Sequence, residues 1–253
     1  MNRHGVAAIY KFEMARWGRT LWQSLVTPVI TTALYFVVFG SAIGSRMTDM
    51  DGIAFGSFIV PGLTLLSVFM QSIFNASFGI YFPKFTGTIY ELLSAPISSF
   101  EAVLAYVGAA VTKSLILALI TLATAALFVD VRLDHPLLMI LFLIAITTGF
   151  CLLGFVIGIW AQNFEQLQVV PMLIVTPLTF LGGAFYSVNA LAEPWRSVTL
   201  FNPVVYLISG FRWTFFSISD VPVWASVAVM AGIILGCLTA IAWVFKTGYR
   251  LKR

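Results

Sequence analysis

The sequence predicts an all-α polytopic membrane protein: an N-terminal interfacial helix, then six transmembrane helices, with an aromatic outer segment before the last. Three observations lead there. Of 253 residues, 60% are hydrophobic and only 9% charged. Soluble domains carry about 25% charged residues, so this chain has too little polar side chain to face water. The apolar residues fall into long runs, each near the roughly 20 residues that cross a bilayer. The positive charge, net +4, gathers at the chain ends, a pattern of membrane orientation and not of nucleic-acid binding.

Residues 4–23 form the first unit. In a helix, Val6, Ile9, Tyr10, Met14, Trp17 and Leu21 share one arc, with Lys11 and Arg19 away from it. That pattern suits a helix lying in the membrane interface. Glu13 falls inside the arc, where its carboxylate either snorkels to the headgroups or meets a partner helix or subunit. With Lys11, Glu13, Arg16 and Arg19 inside the first 24 residues, the segment does not read as a cleavable signal peptide.

Spans are expected over about 25–44, 56–80, 102–128, 137–161, 168–187 and 222–245. All must be helical, because open strands leave backbone groups unsatisfied in lipid. Span two opens on Pro61-Gly62. Span three is apolar except for Lys113, which either snorkels or lines a polar path. Span five holds Pro171, Pro177 and Gly182-Gly183, and its prolines remove backbone hydrogen bonds and loosen it. The chain reads as one membrane domain: an N-terminal helix (1–24), spans one to five (25–187) with a cytoplasmic link at 81–100, an outer segment (188–221), and span six with a basic tail (222–253). Within the link, Ile89 to Leu93 can make a short helix ended by Ala95-Pro96. The outer segment is crowded by Trp195, Phe201, Tyr206, Phe211, Trp213, Phe215 and Phe216, which places it at the interface or dipping back into the membrane.

Six spans put both termini on one side. That side takes Arg3, Lys11, Arg16, Arg19, Lys84, Lys246, Arg250, Lys252 and Arg253, and the other takes Arg46, Arg132, Arg196 and Arg212. The excess marks the terminal side as cytoplasmic.

Chemistry is missing where an enzyme would show it. His4 and His135 fall on opposite sides and cannot share a metal. No GxSxG, HExxH or GxxxxGK[ST] occurs, so neither a nucleophile elbow, a zinc helix nor a phosphate loop is available. Cys151 and Cys237 lie in separate apolar runs and suggest no disulfide framework. No span carries a central Asp or Glu, as ion-coupled carriers do. No catalytic residue, metal or cofactor is expected in this chain. Gln71 and Asn75, at i and i+4, share a face of span two, and Thr176 and Thr179 flank Pro177 in span five. Such groups either join helices or line a wet path. GxxxG pairs at Gly40/Gly44, Gly154/Gly158 and Gly232/Gly236 read as close packing within the bundle.

Several motifs resemble a known family. Phe58-Ile59-Val60-Pro61-Gly62-Leu63 opens span two, and Glu91-Leu92-Leu93-Ser94-Ala95-Pro96 lies in the link. Thr176 to Ser187 reads TPLTFLGGAFYS. Phe201-Asn202-Pro203 and Ile208-Ser209-Gly210-Phe211-Arg212 follow. Together they resemble the permease subunits of ABC-2 type ABC transporters, most closely the YadH-type members, over essentially the whole chain. The resemblance implies the type V exporter fold and a homodimer of this chain served by two copies of a separate P-loop ATPase. That ATPase would bind the ATP and Mg. It implies a coupling helix spanning Tyr90, Glu91, Leu92, Leu93, Ser94, Ala95 and Pro96, with Glu13 of the connecting helix on the ATPase side. It implies a path along spans two and five, hence Gln71, Asn75, Thr176, Pro177, Thr179 and Phe180. An outer re-entrant hairpin would be gated by Phe185, Tyr186, Asn202 and Pro203. It further implies a bacterial inner-membrane location and export of a lipid, glycolipid, glycan or amphipathic drug. An ATP-independent carrier or channel, a membrane-embedded lipid enzyme, and an ABC complex doing mechanical work are the competing readings. No nucleic-acid partner is implied.

Overall fold

The computed structural model describes residues 2–43, 50 and 52–248. Gly44, Arg46, Arg250, Lys252 and Arg253 lie outside them, and with them the Gly40/Gly44 pair and most of the basic tail. Every element among the described residues is helical, apart from one isolated bridge between Met50 and Ile53.

Helix α1 (Arg3–Gly18) is capped by Asn2, whose Oδ1 accepts from the Gly5 amide at 3.1 Å, as N-cap amides do. Helix α2 (Leu21–Tyr35) continues into a π-helical stretch, Phe36–Ile43. Helices α3 (Phe55–Phe58) and α4 (Val60–Thr86) form one 32-residue rod that runs through the middle of the molecule. Its helical path takes in residues 81–86, which the sequence assigns to the link. Two contacts hold them there. Lys84 Nζ donates to the carbonyls of Ile159 (2.7 Å) and Ala161 (2.9 Å), at the end of the helix beside it, where a cation is favoured. Gly87 (φ 80°) then ends α4 in the left-handed conformation, the position glycine occupies best.

Helix α5 (Ile89–Ser94) follows, then α6 (Ser99–Ala125), which opens on a complete capping box between Ser98 and Glu101. Helix α7 (Pro136–Trp160) starts on proline at N1, where the missing N–H costs nothing. Span five is shorter than its apolar run. Helices α8 (Gln166–Val170) and α9 (Thr176–Leu181) are joined by a π stretch, Pro171–Val175, and together cover only Gln166–Leu181. Gly183 (φ 80°) turns the chain away before residue 187. Among the described residues, five helices are long and apolar enough to cross a membrane, and this sixth is shorter.

The 188–221 stretch is mostly helical. It contains α10 (Trp195–Thr199) and α11 (Pro203–Phe216), and the latter is buried along most of its length. Phe211 and Phe215 are core residues, whereas Trp195 and Phe201 are exposed. Helix α12 (Val223–Thr247) closes the chain.

The core lies between α4 and α7. A Cβ on Gly154 or Gly158 would stand 2.4 Å from the carbonyls of Ile73 or Ser77, so these two glycines let the backbones meet. The Gly232/Gly236 pair does not pack this way: a Cβ on either meets nothing within 4 Å. A second cluster joins Ile9, Ile80, Ile89, Val103, Ile159, Val244 and Phe245. It brings α1, the end of α4, α5, the start of α6, and the ends of α7 and α12 to one end of the bundle.

Candidate functional site

At that end, α5 projects from the bundle. Ile89 is buried and anchors it, while Tyr90, Glu91 and Ser94 are exposed. Glu91 sits in the first turn, where the helix dipole favours an acid. The Ser94 hydroxyl donates to the Glu91 carbonyl at 3.0 Å. Ala95 is extended (ψ 152°), the conformation that the following Pro96 imposes. The Pro96 carbonyl accepts from Asn2 Nδ2 at 3.3 Å, and the Asn2 amide donates to Glu101. The start of α1 is thus fastened to the α5–α6 link. Leu92 and Leu93 lie within the helix.

Glu13 does not snorkel. It is buried at the contact of α1 with α6, and its Oε2 accepts from Lys113 Nζ at 3.0 Å and Arg16 Nη2 at 2.6 Å. Lys113 does not snorkel either, for its side chain is 4% exposed and ends on that carboxylate. The two charges that disturb the sequence pattern are one ion pair. The Arg16 guanidinium lies over Phe78 and Phe82 of α4, at 5.1 and 5.7 Å, and Tyr10 donates to Thr112 at 3.0 Å.

The proposed path residues do not meet in one pocket of a single chain. Asn75 Nδ2 reaches Ser114 Oγ of α6 at 3.5 Å, and Gln71 faces a narrow gap beside Pro28, Leu117 and Thr121. Thr176 points at α4, donating to Met70 Sδ at 3.4 Å and to the Pro171 carbonyl at 3.1 Å. Thr179 is buried and bonded to the Val175 carbonyl. Pro177 and Phe180 are exposed, on the apolar face that also carries Met172, Leu173, Ile174 and Leu181.

At the other end, Phe185 packs between Phe39 and Phe180, tilted against the first at 5.2 Å and stacked on the second at 5.1 Å. Tyr186 donates to the Leu181 carbonyl at 2.9 Å, and burial pushes its phenol up from the ordinary value. Asn202 caps α11 by accepting from the Val204 amide at 2.9 Å. Its Nδ2 donates to the Leu178 carbonyl at 2.6 Å, tying the start of α11 to the end of α9. Pro203 occupies N1 of α11. Arg212 is not an outer-loop charge: it is 1% exposed. Its Nη1 meets Asp220 Oδ2 at 2.9 Å, its Nη2 donates to the Gly183 carbonyl, and its guanidinium lies 4.0 Å over the Phe58 ring. Asp220 Oδ1 in turn accepts from Ser187 (2.6 Å) and Asn189 (3.3 Å). A Cβ on Gly62 would stand 2.2 Å from the Ala184 carbonyl. Residues scattered through the sequence, from Phe58-to-Leu63, Thr176-to-Ser187 and Ile208-to-Arg212, therefore converge on one buried ion pair. Asp220 carries no sequence signal of its own, and its partner's burial shows only in the uncharged face of α11.

Residues 4–216 match the family model for the ABC-2 type transporter. The inner membrane transport permease YadH of Escherichia coli K12 is 38% identical over 228 residues, covering 90% of this chain and 89% of the relative. The chain belongs to the ABC-2 transporter family. The nodulation J proteins of Rhizobium meliloti strain 1021 and of Rhizobium leguminosarum bv. viciae are 23% identical over 207 and 208 residues. Membership makes this ABC-2 chain the transmembrane subunit of an ABC transporter, a transport permease and not a member of an enzyme family, and implies a partner ABC ATPase.

Proposed function

We propose that the chain is the permease of an ATP-driven exporter, working as a homodimer with two copies of a separate P-loop ATPase that binds the ATP and Mg. The match to the ABC-2 type transporter model over residues 4–216 carries this reading. The lack of a phosphate loop agrees with it, because a chain that cannot bind ATP in that way must take its power from another subunit. Helix α5, with Tyr90 and Glu91 exposed, is the coupling helix, and it moves as a rigid body with the ATPase. The Lys and Arg surplus toward the α5 end supports a cytoplasmic position for that end and for both termini. The resemblance to an inner membrane permease supports a bacterial inner-membrane location.

The exposed, mostly apolar face of α8–α9, with a 490 Å³ groove lined by Phe164, Glu165, Gln168, Val169, Met172 and Leu173, faces a second copy. Gln71, Asn75, Thr176, Pro177, Thr179 and Phe180 line the path once that copy is present. Residues 188–221 form the outer re-entrant segment, with Phe185, Tyr186, Asn202 and Pro203 at its gate. Lining groups that are aromatic, amide and hydroxyl suit an amphipathic or neutral polar cargo, such as a lipid, glycolipid, glycan or drug, with membrane lipid around the dimer.

Co-purification tests the reading. The tagged chain is expected to bring down an ABC ATPase whose hydrolysis responds to lipid or drug. Glu91→Lys is expected to leave hydrolysis running while transport stops. Uphill transport by the isolated chain, or unchanged coupling in Glu91→Lys, refutes the corresponding part.

A further inference from the structure

Glu13 and Lys113 stand 100 positions apart in the chain and meet in its interior. Taking two charges out of water is expensive, and an apolar pair of similar volume commonly holds helices together as well or better. A charged pair inside a membrane domain therefore points to a task other than stability. Its surroundings say which task.

The pair is unevenly bonded. Glu13 Oε2 takes both Arg16 and Lys113, whereas Glu13 Oε1, Arg16 Nη1 and Trp17 Nε1 are buried without a hydrogen-bond partner. Unmet donors beside an unmet acceptor favour a second arrangement in which α1 has turned and partners have exchanged. On one side the joint is fastened to the link, through Asn2 to Pro96 and Glu101 and through Gly5 against Ile97. On the other it reaches α4: Arg16 covers Phe78 and Phe82, and Ser114, next to Lys113, meets Asn75.

We infer that the Glu13–Lys113 pair is the joint through which movement of the α5 link, carried by α1, enters α4 and its Asn75 face. Both are positioning residues and touch no cargo. The inference rests on the ATP-driven reading above, since without a moving partner the joint has nothing to transmit.

The test uses the full chain with its co-purified ATPase in nanodiscs. An environment-sensitive fluorophore is placed at Phe74→Cys, an exposed position of α4 next to Asn75, while the native Cys151 and Cys237 are buried. Hydrolysis rate, ATP-induced fluorescence change and melting temperature are read together. Lys113→Met and Glu13→Gln are expected to keep hydrolysing ATP and to lose the fluorescence change by roughly tenfold, mid-range for a coupling free energy. Lys113→Arg and the exchanged pair Glu13→Lys with Lys113→Glu are expected to retain it. Should Lys113→Met not assemble, Glu13→Asp, which keeps the charge and lengthens the contact, is expected to give an intermediate loss. The joint is overturned if Lys113→Met, or Glu13→Asp in its place, responds like wild type. It is also overturned if the exchanged pair is as silent as the single variants, or if fluorescence falls only in step with melting temperature. A silent wild-type complex would instead bring down the ATP-driven reading itself, and the joint with it.

Discussion

Arg212→Met is the most informative single change at the end of the bundle away from α5. It strips Asp220, itself 5% exposed, of its counter-charge. Breaking a buried pair from one side costs about 3–5 kcal/mol. The Gly183 carbonyl loses its donor, worth about 1–3 kcal/mol, and Phe58 loses the cation on its face, about 1 kcal/mol. Asp220 keeps its bonds from Ser187 and Asn189, and the methionine fills part of the space, so the lower ends apply and the sum is about 5 kcal/mol. At roughly 2–4 °C per kcal/mol in a chain of this size, the melting temperature falls by about 10–20 °C. Cys151 and Cys237 are free and buried, so a thiol-reactive dye reports unfolding without any added label. Adding Asp220→Asn removes the stranded charge, and the double variant is expected to regain at least about 2 kcal/mol over the sum of the single losses. A single variant melting within about 2 °C of wild type, or strictly additive losses, would refute the reasoning.

The two GxxxG pairs are expected to part company. Gly154→Ala drives a Cβ into the Ile73 carbonyl at 2.4 Å and loses about 1–3 kcal/mol to overpacking, whereas Gly232→Ala meets nothing within 4 Å and melts at or slightly above wild type. The same dye assay distinguishes them. Asp134 gives a pH dependence. Hydrogen bonds from Arg132 (2.7 Å) and Ser217 (2.9 Å) hold its carboxyl below the ordinary value. A lowered folded pKa means that its contribution is complete above the unfolded value of about 3.9 and fades as the pH drops further. The melting difference between wild type and Asp134→Asn is therefore expected to hold steady from pH 7 to about 4.5 and to shrink below about 3.9.

What the sequence discloses depends on whether a feature is local. Spans two, three, four and six are legible because a long apolar run has one outcome in lipid. Span five misleads by the same logic: its run reaches residue 187, but Gly183 turns the chain and the prolines widen the helix into a π stretch, so it stops at Leu181. Residues 81–86 pass for a polar link until Lys84 is seen bonded to the last carbonyls of α7. Helix α11 announces itself in Asn202-Pro203, an N-cap residue followed by proline at N1, a signal that the aromatic crowding around it masks.

Side-chain partners are harder, since no periodicity links Arg212 to Asp220 or to Phe58. Yet one long-range pair follows from elimination. Glu13 is the single charge inside the apolar arc of α1, and Lys113 the single charge inside span three. Each alone invites the snorkelling explanation. But a buried charge needs a partner, and two unlike charges, each alone in an apolar stretch of sequence, satisfy each other at the least cost. The pairing then constrains the fold, because it demands that α1 lie against α6 instead of floating at the interface. That contact, between a helix fastened to the α5–α6 link and a helix beside Asn75, is what makes the pair a candidate for transmission.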